Sequence, residues 1–170
     1  YKYQKLRALH GKGEGDGSRG RIGIPFGLNM YENLPFWFTF FTKLNFEVVL
    51  SPESSRKLYL KGQRTIPSDT VCYPAKLLHG HVEALVEAGV DAVWYPCMSY
   101  NNDEGIGDNH YNCPVVAYYP ELLAANVPLL KQTKFLNPYV GLWRHKDFGK
   151  RIAQLMHQEF GIPKKESAAA

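Results

Sequence analysis

Three cysteines stand in the middle of the chain, and each has a proline close by: Val71-Cys72-Tyr73-Pro74, Tyr95-Pro96-Cys97 and Asn112-Cys113-Pro114. They are separated by 25 and then 16 residues. Cysteine thiolates hold iron–sulfur clusters and zinc, whereas free cysteines otherwise behave as small buried hydrophobic side chains. The closely spaced cysteine pair of structural zinc sites is absent, so zinc is the weakest of three open interpretations: buried thiols, an iron–sulfur cluster and zinc.

The local sequence suggests where each thiol lies. Cys72 comes directly before a predicted helix, whose positive N-terminal end stabilises a thiolate. Cys97 follows a predicted strand over residues 91–95, so it lies at the carboxyl edge of the sheet, where both thiols converge. Cys113 precedes a predicted strand over residues 115–118. This places Cys113 at the amino end of that strand and makes it the weakest of the three candidate ligands.

Histidines near the cysteines are the other candidate functional groups. His110 lies in a polar loop shortly before Cys113, where it could donate a proton, hydrogen-bond a cluster sulfur or simply order the loop. It is the candidate catalytic residue. His79 and His81 fall on different faces of the helix after Cys72, and we expect them to be partly exposed helix residues rather than ligands.

The elements that position these residues alternate between strand and helix. The pattern predicts strands over residues 21–26, 46–50, 91–95 and 115–118, with a weak one at 135–136. Predicted helices follow Pro35, span 54–61 and 74–88, begin again at Glu121 and end with 147–160. This alternation indicates an α/β fold with an open, mostly parallel, Rossmann-like sheet of four or five strands and helices on both faces.

Length and composition are those of one domain. We expect a glycine-rich flexible lead-in over residues 1–20, a single α/β domain over 21–163 and a tail over 164–170. The chain starts without Met, and we expect it to be a fragment of a larger multidomain protein. A net charge of +4 on 170 residues does not favour nucleic-acid binding. The odd cysteine count and the absence of a secretory signal or long apolar run predict a cytoplasmic protein with no membrane segment.

Several ordered segments resemble the activase-related proteins of the 2-hydroxyacyl-CoA dehydratase family. The closest likeness is to the dehydratase-like domain of the large activase-fused members. The resemblance covers about residues 21–166. It is carried by the segments at 21–25, 29–37, 71–81, 95–97, 108–114, 119–121 and 161–166.

The resemblance implies a two-component chemistry. In this family an ATPase activator with a 4Fe–4S cluster passes a low-potential electron to the dehydratase. The dehydratase binds its own 4Fe–4S cluster through three cysteines and removes water from a 2-hydroxyacyl-CoA by a radical route. Related members carry a double-cubane cluster and reduce small molecules.

For this chain the resemblance implies an iron–sulfur domain that takes part in low-potential electron transfer or dehydration. Cys72 and Cys97 match the first two cluster cysteines, and Cys113 is the third candidate. The implied partners are an ATPase activator domain and a downstream dehydratase-like domain of the same protein, with a possible homodimer. We expect the isolated fragment to lack the 4Fe–4S or double-cubane cluster and to be inactive alone. The alternative is a non-catalytic docking module that retains the fold.

Overall fold

Four parallel strands form a single sheet in the computed structural model, which describes residues 4–6, 8, 15–103 and 105–170. The strands are β1 (Arg21–Ile24), β2 (Glu47–Leu50), β3 (Ala92–Trp94) and β4 (Lys134–Leu136), in the order β2-β1-β3-β4. The helices are α1 (Met30–Lys43), α2 (Arg56–Gly62), α3 (Tyr73–Glu87), α4 (Pro114–Asn126), α5 (His145–Phe160) and α6 (Lys164–Ala169). The predicted fold class is confirmed.

Helices cover both faces of the sheet. Successive strand residues point to opposite sides, so the apolar side chains on each face must be buried against a helix. A side chain at Gly23 of β1 would meet Leu85 of α3, so that face of the sheet packs against α3. On the other face Trp94 of β3 contacts Trp37 of α1, with ring centroids 4.8 Å apart, and Phe41, at 5.4 Å. The core therefore consists of two apolar layers separated by the sheet.

The predicted strand over residues 115–118 is wrong, because these residues lie in α4. Valines and aromatic residues dominate this short run, and such a run fits a strand and a buried helix equally well. Pro114, at the first helical position, was the decisive signal, since its fixed φ favours helix initiation. Tyr119 and Leu123, four residues apart, are both buried, as expected of one helical face.

The helix boundaries differ from the sequence prediction at two further places. Pro35 lies inside α1 and not at its first turn, because α1 already begins at Met30. A turn precedes the helix, in which Met30 N–H donates to the Gly27 carbonyl at 3.1 Å. Residues 164–169 form α6, and Glu166 of α6 pairs with Arg19, at 2.6 Å. Half of the predicted lead-in over 1–20 lies outside the described residues. No helix in the described ranges has the length and hydrophobicity to span a bilayer.

Two glycines allow α2 and α3 to pack at very short range. A Cβ on Gly62 would lie 2.2 Å from the backbone nitrogen of Gly80, and one on Gly80 would lie 2.0 Å from the carbonyl oxygen of Leu58. Both obstacles are backbone atoms, which cannot rotate away. The contact therefore fixes the position of α3, and with it the position of Cys72 at the start of that helix.

Replacing Gly80 with alanine should force α2 and α3 apart. We expect Gly80→Ala to lower the free energy of unfolding by about 2–3 kcal/mol, as overpacking does, and the Tm by about 5–10 °C. The matched control is Gly149→Ala in α5, where an added Cβ meets no atom within 4 Å. That change should stabilise the protein by about 0.5–1 kcal/mol through helix propensity. Equal Tm values for the two variants would contradict the packing argument.

Candidate cysteine site at the carboxyl edge

All three cysteines lie at the carboxyl edge of the sheet, the edge at which β1–β4 end. A helix that joins parallel strands runs back across the sheet, so its N-terminus lies at this edge. Cys72 is the N-cap of α3, which leads into β3, and Cys113 is the N-cap of α4, which precedes β4. Cys97 follows β3 directly. Cys72 and Cys97 share one edge as predicted, whereas the expected placement of Cys113 at the opposite edge is wrong.

The loop between Cys97 and Cys113 is closed by hydrogen bonds between its last residues and its first residues. Asn112 N–H donates to the Ser99 carbonyl at 3.0 Å, and Asn101 N–H donates to the His110 carbonyl at 2.9 Å. The Asn112 side chain donates to the Met98 carbonyl at 2.8 Å and accepts from the Asn101 amide at 2.8 Å. We call this closure the amide stem. It holds Cys113 beside the segment that carries Cys97.

The three thiols have different surroundings. Cys72 and Cys113 are exposed, whereas Cys97 is fully buried. Burial, together with the smaller effect of the nearby Glu121 carboxylate, raises the pKa of Cys97 to about 11, although a hydrogen bond from the Glu121 backbone N–H opposes the rise. The Cys97 backbone bonds on both sides to the segment after β4, through Pro138 O at 2.9 Å and Val140 N at 3.0 Å. At neutral pH Cys97 is therefore a protonated thiol in a rigid setting.

Three tyrosines lie near Cys72 or Cys97. Burial raises the pKa of Tyr119 to about 12, and the charge of Cys72 adds to this effect. A hydrogen bond to Glu121 raises the pKa of Tyr139 to about 12. Tyr95 is fully buried, which raises its pKa, and its hydroxyl has no hydrogen-bond partner among the described residues. All three phenols remain protonated at neutral pH and are hydrogen-bond donors.

His79 and His81 are buried, contrary to the expectation of partly exposed helix residues. The His79 ring lies 2.8 Å from Thr65 Oγ1 through Nδ1 and 3.1 Å from the Tyr119 hydroxyl through Nε2. Thr65 donates to the Gly62 carbonyl at 3.0 Å, so His79 Nδ1–H donates to Thr65, and Nε2 accepts from Tyr119. Burial lowers the pKa of His79 to about 4, in keeping with this neutral form.

His81 has a separate set of partners. Its Nδ1 lies 2.7 Å from the hydroxyl of Ser51, and its Nε2 lies 3.0 Å from the hydroxyl of Ser54. Neither buried histidine points to catalysis, because each joins α3 to neighbouring segments. No local pattern predicts this role, since residues two apart on a helix are buried together only when the helix is covered on two sides.

His110 lies on the loop rather than against the cysteines. Its Nε2 is 3.5 Å from a carboxylate oxygen of Asp103, and its ring centroid is 5.8 Å from that of Tyr100. It lines an open cavity of about 340 Å³ together with Glu32 and Asn33 of α1. The structure therefore places the candidate catalytic histidine in this cavity and shows no contact between it and a thiol.

The described part of the chain contains no group of three His, Cys, Asp or Glu side chains arranged to hold one metal ion. The side chains as placed thus provide no ready zinc site. A 4Fe–4S cluster requires something different, because its cysteine ligands bind separate iron atoms and do not converge on one point. Two exposed thiols at helix N-termini and a third at the same edge match the donor type of such a cluster.

The amide stem makes a prediction about loop stability. Asn112→Ala removes its bonds to Met98 and Asn101, so we expect the amide hydrogens of Asn101 and Asn112 to exchange with solvent about tenfold faster or more. Asn126→Ala is the control, because it removes a side-chain bond to the Leu122 carbonyl elsewhere, in α4. Unchanged exchange at both stem amides in Asn112→Ala would show that the side chain does not close the loop.

His79 makes a prediction about pH dependence. The buried ring has a pKa of about 4 instead of 6.5, so protonation favours the unfolded chain, and the stability due to neutral His79 is lost as pH falls through this range. His79→Phe should cost about 1–3 kcal/mol at neutral pH because two partners lose a hydrogen bond. Between about pH 7 and pH 5, however, the variant should lose roughly 2 kcal/mol less stability than the native chain.

Urea unfolding at both pH values measures this difference in slope. The control is His145→Gln, which removes an exposed histidine at the start of α5 and measures the effect of losing a histidine outside the core. If His79→Phe retains the full pH dependence of the native chain, His79 is not the buried neutral group that the structure shows.

Comparison with known protein families gives a match over most of the chain. The family model described as "CoA enzyme activase uncharacterised domain (DUF2229)" matches residues 21–170, which is most of the chain. Neither the curated proteins nor the solved structures contain a significant match. The matched region includes every strand and helix described above, together with all three cysteines. The chain therefore belongs to the CoA enzyme activase uncharacterised domain family.

Proposed function

We propose that this domain supplies Cys72, Cys97 and Cys113 as ligands of an iron–sulfur cluster. It would then take part in the low-potential electron transfer or dehydration chemistry of a 2-hydroxyacyl-CoA dehydratase and activase system. The observation that carries the proposal is the position of all three thiols at one edge of the sheet. Membership of a CoA enzyme activase family is in keeping with it.

Two of the proposed ligands stand at the N-termini of helices. Cys72 is the N-cap residue of the 15-residue α3, and Cys113 is the N-cap residue of the 13-residue α4. Neither thiol makes a capping hydrogen bond to its own helix. The positive end of a helix favours negative charge placed there, so both positions suit an anionic cluster. Both sulfurs are exposed and available to bind iron.

Cys97 would be the buried ligand. Its raised pKa means that iron must replace the thiol proton when the cluster binds. The Glu121 carboxylate adds negative charge beside Cys97, and negative charge near a cluster lowers its reduction potential. Nearby Tyr95 and Tyr119 are buried and limit the access of water to this side of the thiol. The bound cluster would supply a one-electron carrier of low potential.

The remaining parts of the proposal concern partners and His110. An ATPase activator domain and a downstream dehydratase-like domain of the same protein would dock at the exposed carboxyl edge, in the cytoplasm. A homodimer is compatible with this arrangement. His110 is a proposed polar group of the same reaction site. It lines an open cavity, in which its side chain is 14% exposed.

Iron and sulfide analysis of the full-length protein purified without oxygen tests the proposal. We expect a brown protein whose visible absorption bleaches on reduction, and we expect each of Cys72→Ser, Cys97→Ser and Cys113→Ser to lose most of its iron. Ser99→Ala, an exposed hydroxyl variant at the same edge, is the control and should retain the cluster. Circular dichroism of the apoproteins separates ligand loss from misfolding.

One observation favours a second candidate, a non-catalytic docking module. The described side chains do not form an assembled metal site. A colourless anaerobic protein with three freely titrating thiols would support this alternative and exclude the cluster. If only Cys113→Ser retained iron, the proposal would be wrong for that residue.

A further inference from the structure

An open cavity lies at the point where the strand order reverses. β1 and β3 are neighbours at the centre of the sheet, and the chain continues from β1 towards β2 on one side and from β3 towards β4 on the other. Ligands of open α/β sheets bind outside the carboxyl ends of the strands at such a point. The cavity is formed by the first turn of α1, which follows β1, and by the loop closed by the amide stem, which follows β3.

Neutral polar groups dominate the wall of this cavity. Its volume is about 340 Å³, near the lower end of the range for small-molecule sites, roughly 300–1,000 Å³. The polar lining consists mainly of Glu32, Asn33, Asn102, Asn109, His110 and Tyr111. Within the described residues it includes no lysine or arginine, and His110 already lies beside the Asp103 carboxylate. A bound phosphate or carboxylate would therefore lie near the carboxylates of Glu32 and Asp103, with no lysine or arginine in the lining to neutralise it.

The lining side chains divide into those that hold the fold and those that are available. Asn33 donates to the Asn29 carbonyl at 3.0 Å, and Asn109 accepts from Tyr111 N–H at 3.2 Å. Glu32 and Asn102, by contrast, make no side-chain hydrogen bond or ion pair within the described part of the chain. Two polar groups at the cavity wall are thus unused by the fold.

Carboxamides both donate and accept hydrogen bonds, as hydroxyl groups do, and a carboxylate accepts from hydroxyls. The Tyr111 ring is largely exposed and lies edge-on to Tyr100, with centroids 4.8 Å apart, so an apolar ring face is available at the cavity. We propose that this cavity binds an uncharged polyhydroxylated molecule of monosaccharide size. Glu32 and Asn102 would bind its hydroxyl groups, and Tyr111 would pack against its C–H face.

A pair of probes with the same ring tests the proposal on the full-length protein. Methyl α-D-glucopyranoside is the neutral probe, and glucose 6-phosphate is its anionic counterpart. We expect saturation-transfer NMR signals from the neutral probe at concentrations up to about 20 mM, because a few neutral hydrogen bonds give millimolar affinity. Binding of the phosphate should be about tenfold weaker or undetectable.

Two variants locate the site. Asn102→Ala should weaken binding of the neutral probe about five- to tenfold, as the loss of one hydrogen bond does. Glu32→Gln should weaken it about fivefold, because a neutral carboxamide replaces the stronger, charge-assisted carboxylate acceptor. Glu53→Gln, a change of the same type at an exposed carboxylate outside the cavity, should bind like the native chain. Glu32→Gln retains the shape of the side chain, so it remains informative if Asn102→Ala folds poorly.

Three results would overturn the inference: no signal from the neutral probe, equal or tighter binding of the phosphate, or native affinity in Glu32→Gln. None of them bears on iron content. The outcome is therefore independent of the cluster proposal.

Discussion

The hydrogen bond between His79 and Tyr119 joins the two helices whose first turns carry exposed cysteines. α3 begins after Cys72 and α4 begins after Cys113, so the relative position of these thiols depends on how the two helices are held together. The bond is buried, so it stabilises the fold only if both ring nitrogens of His79 and the Tyr119 hydroxyl have hydrogen-bond partners. Thr65 completes the pairing, and the Gly62–Gly80 contact brings the segment that carries it close to α3.

Much of this architecture follows from local sequence patterns. The central strands, the long helix after Cys72 and the helix predicted over 147–160 were all predictable, because period-two and period-3.6 patterns are local. Gly89 and Gly161, with φ of 71° and 69°, end their helices in the left-handed conformation that glycine adopts easily. The position of Cys72 and Cys97 at one edge followed from the order of elements alone.

Other features depend on contacts between distant residues. Residues 115–118 were predicted as a strand because valine and aromatic side chains favour strands, and tertiary packing of α4 overrides that preference. The burial of His79 requires a partner 40 residues away, on α4. The amide stem pairs side chains of Asn101 and Asn112, and no pattern of single residues reveals such a pair. The position of Cys113 was missed because residues 115–118 were assigned to a strand and because the amide stem could not be foreseen.

The amide stem has a consequence for how related sequences vary. Asn101 and Asn112 fix the two ends of the loop, so the residues between them form an excursion whose length does not set the position of Cys113. Insertions and deletions in that excursion are therefore compatible with an unchanged arrangement of thiols. The number of residues from Cys97 to Cys113 is then a poor signature of this domain. The paired asparagines and the proline after Cys113 are better landmarks for aligning distant members.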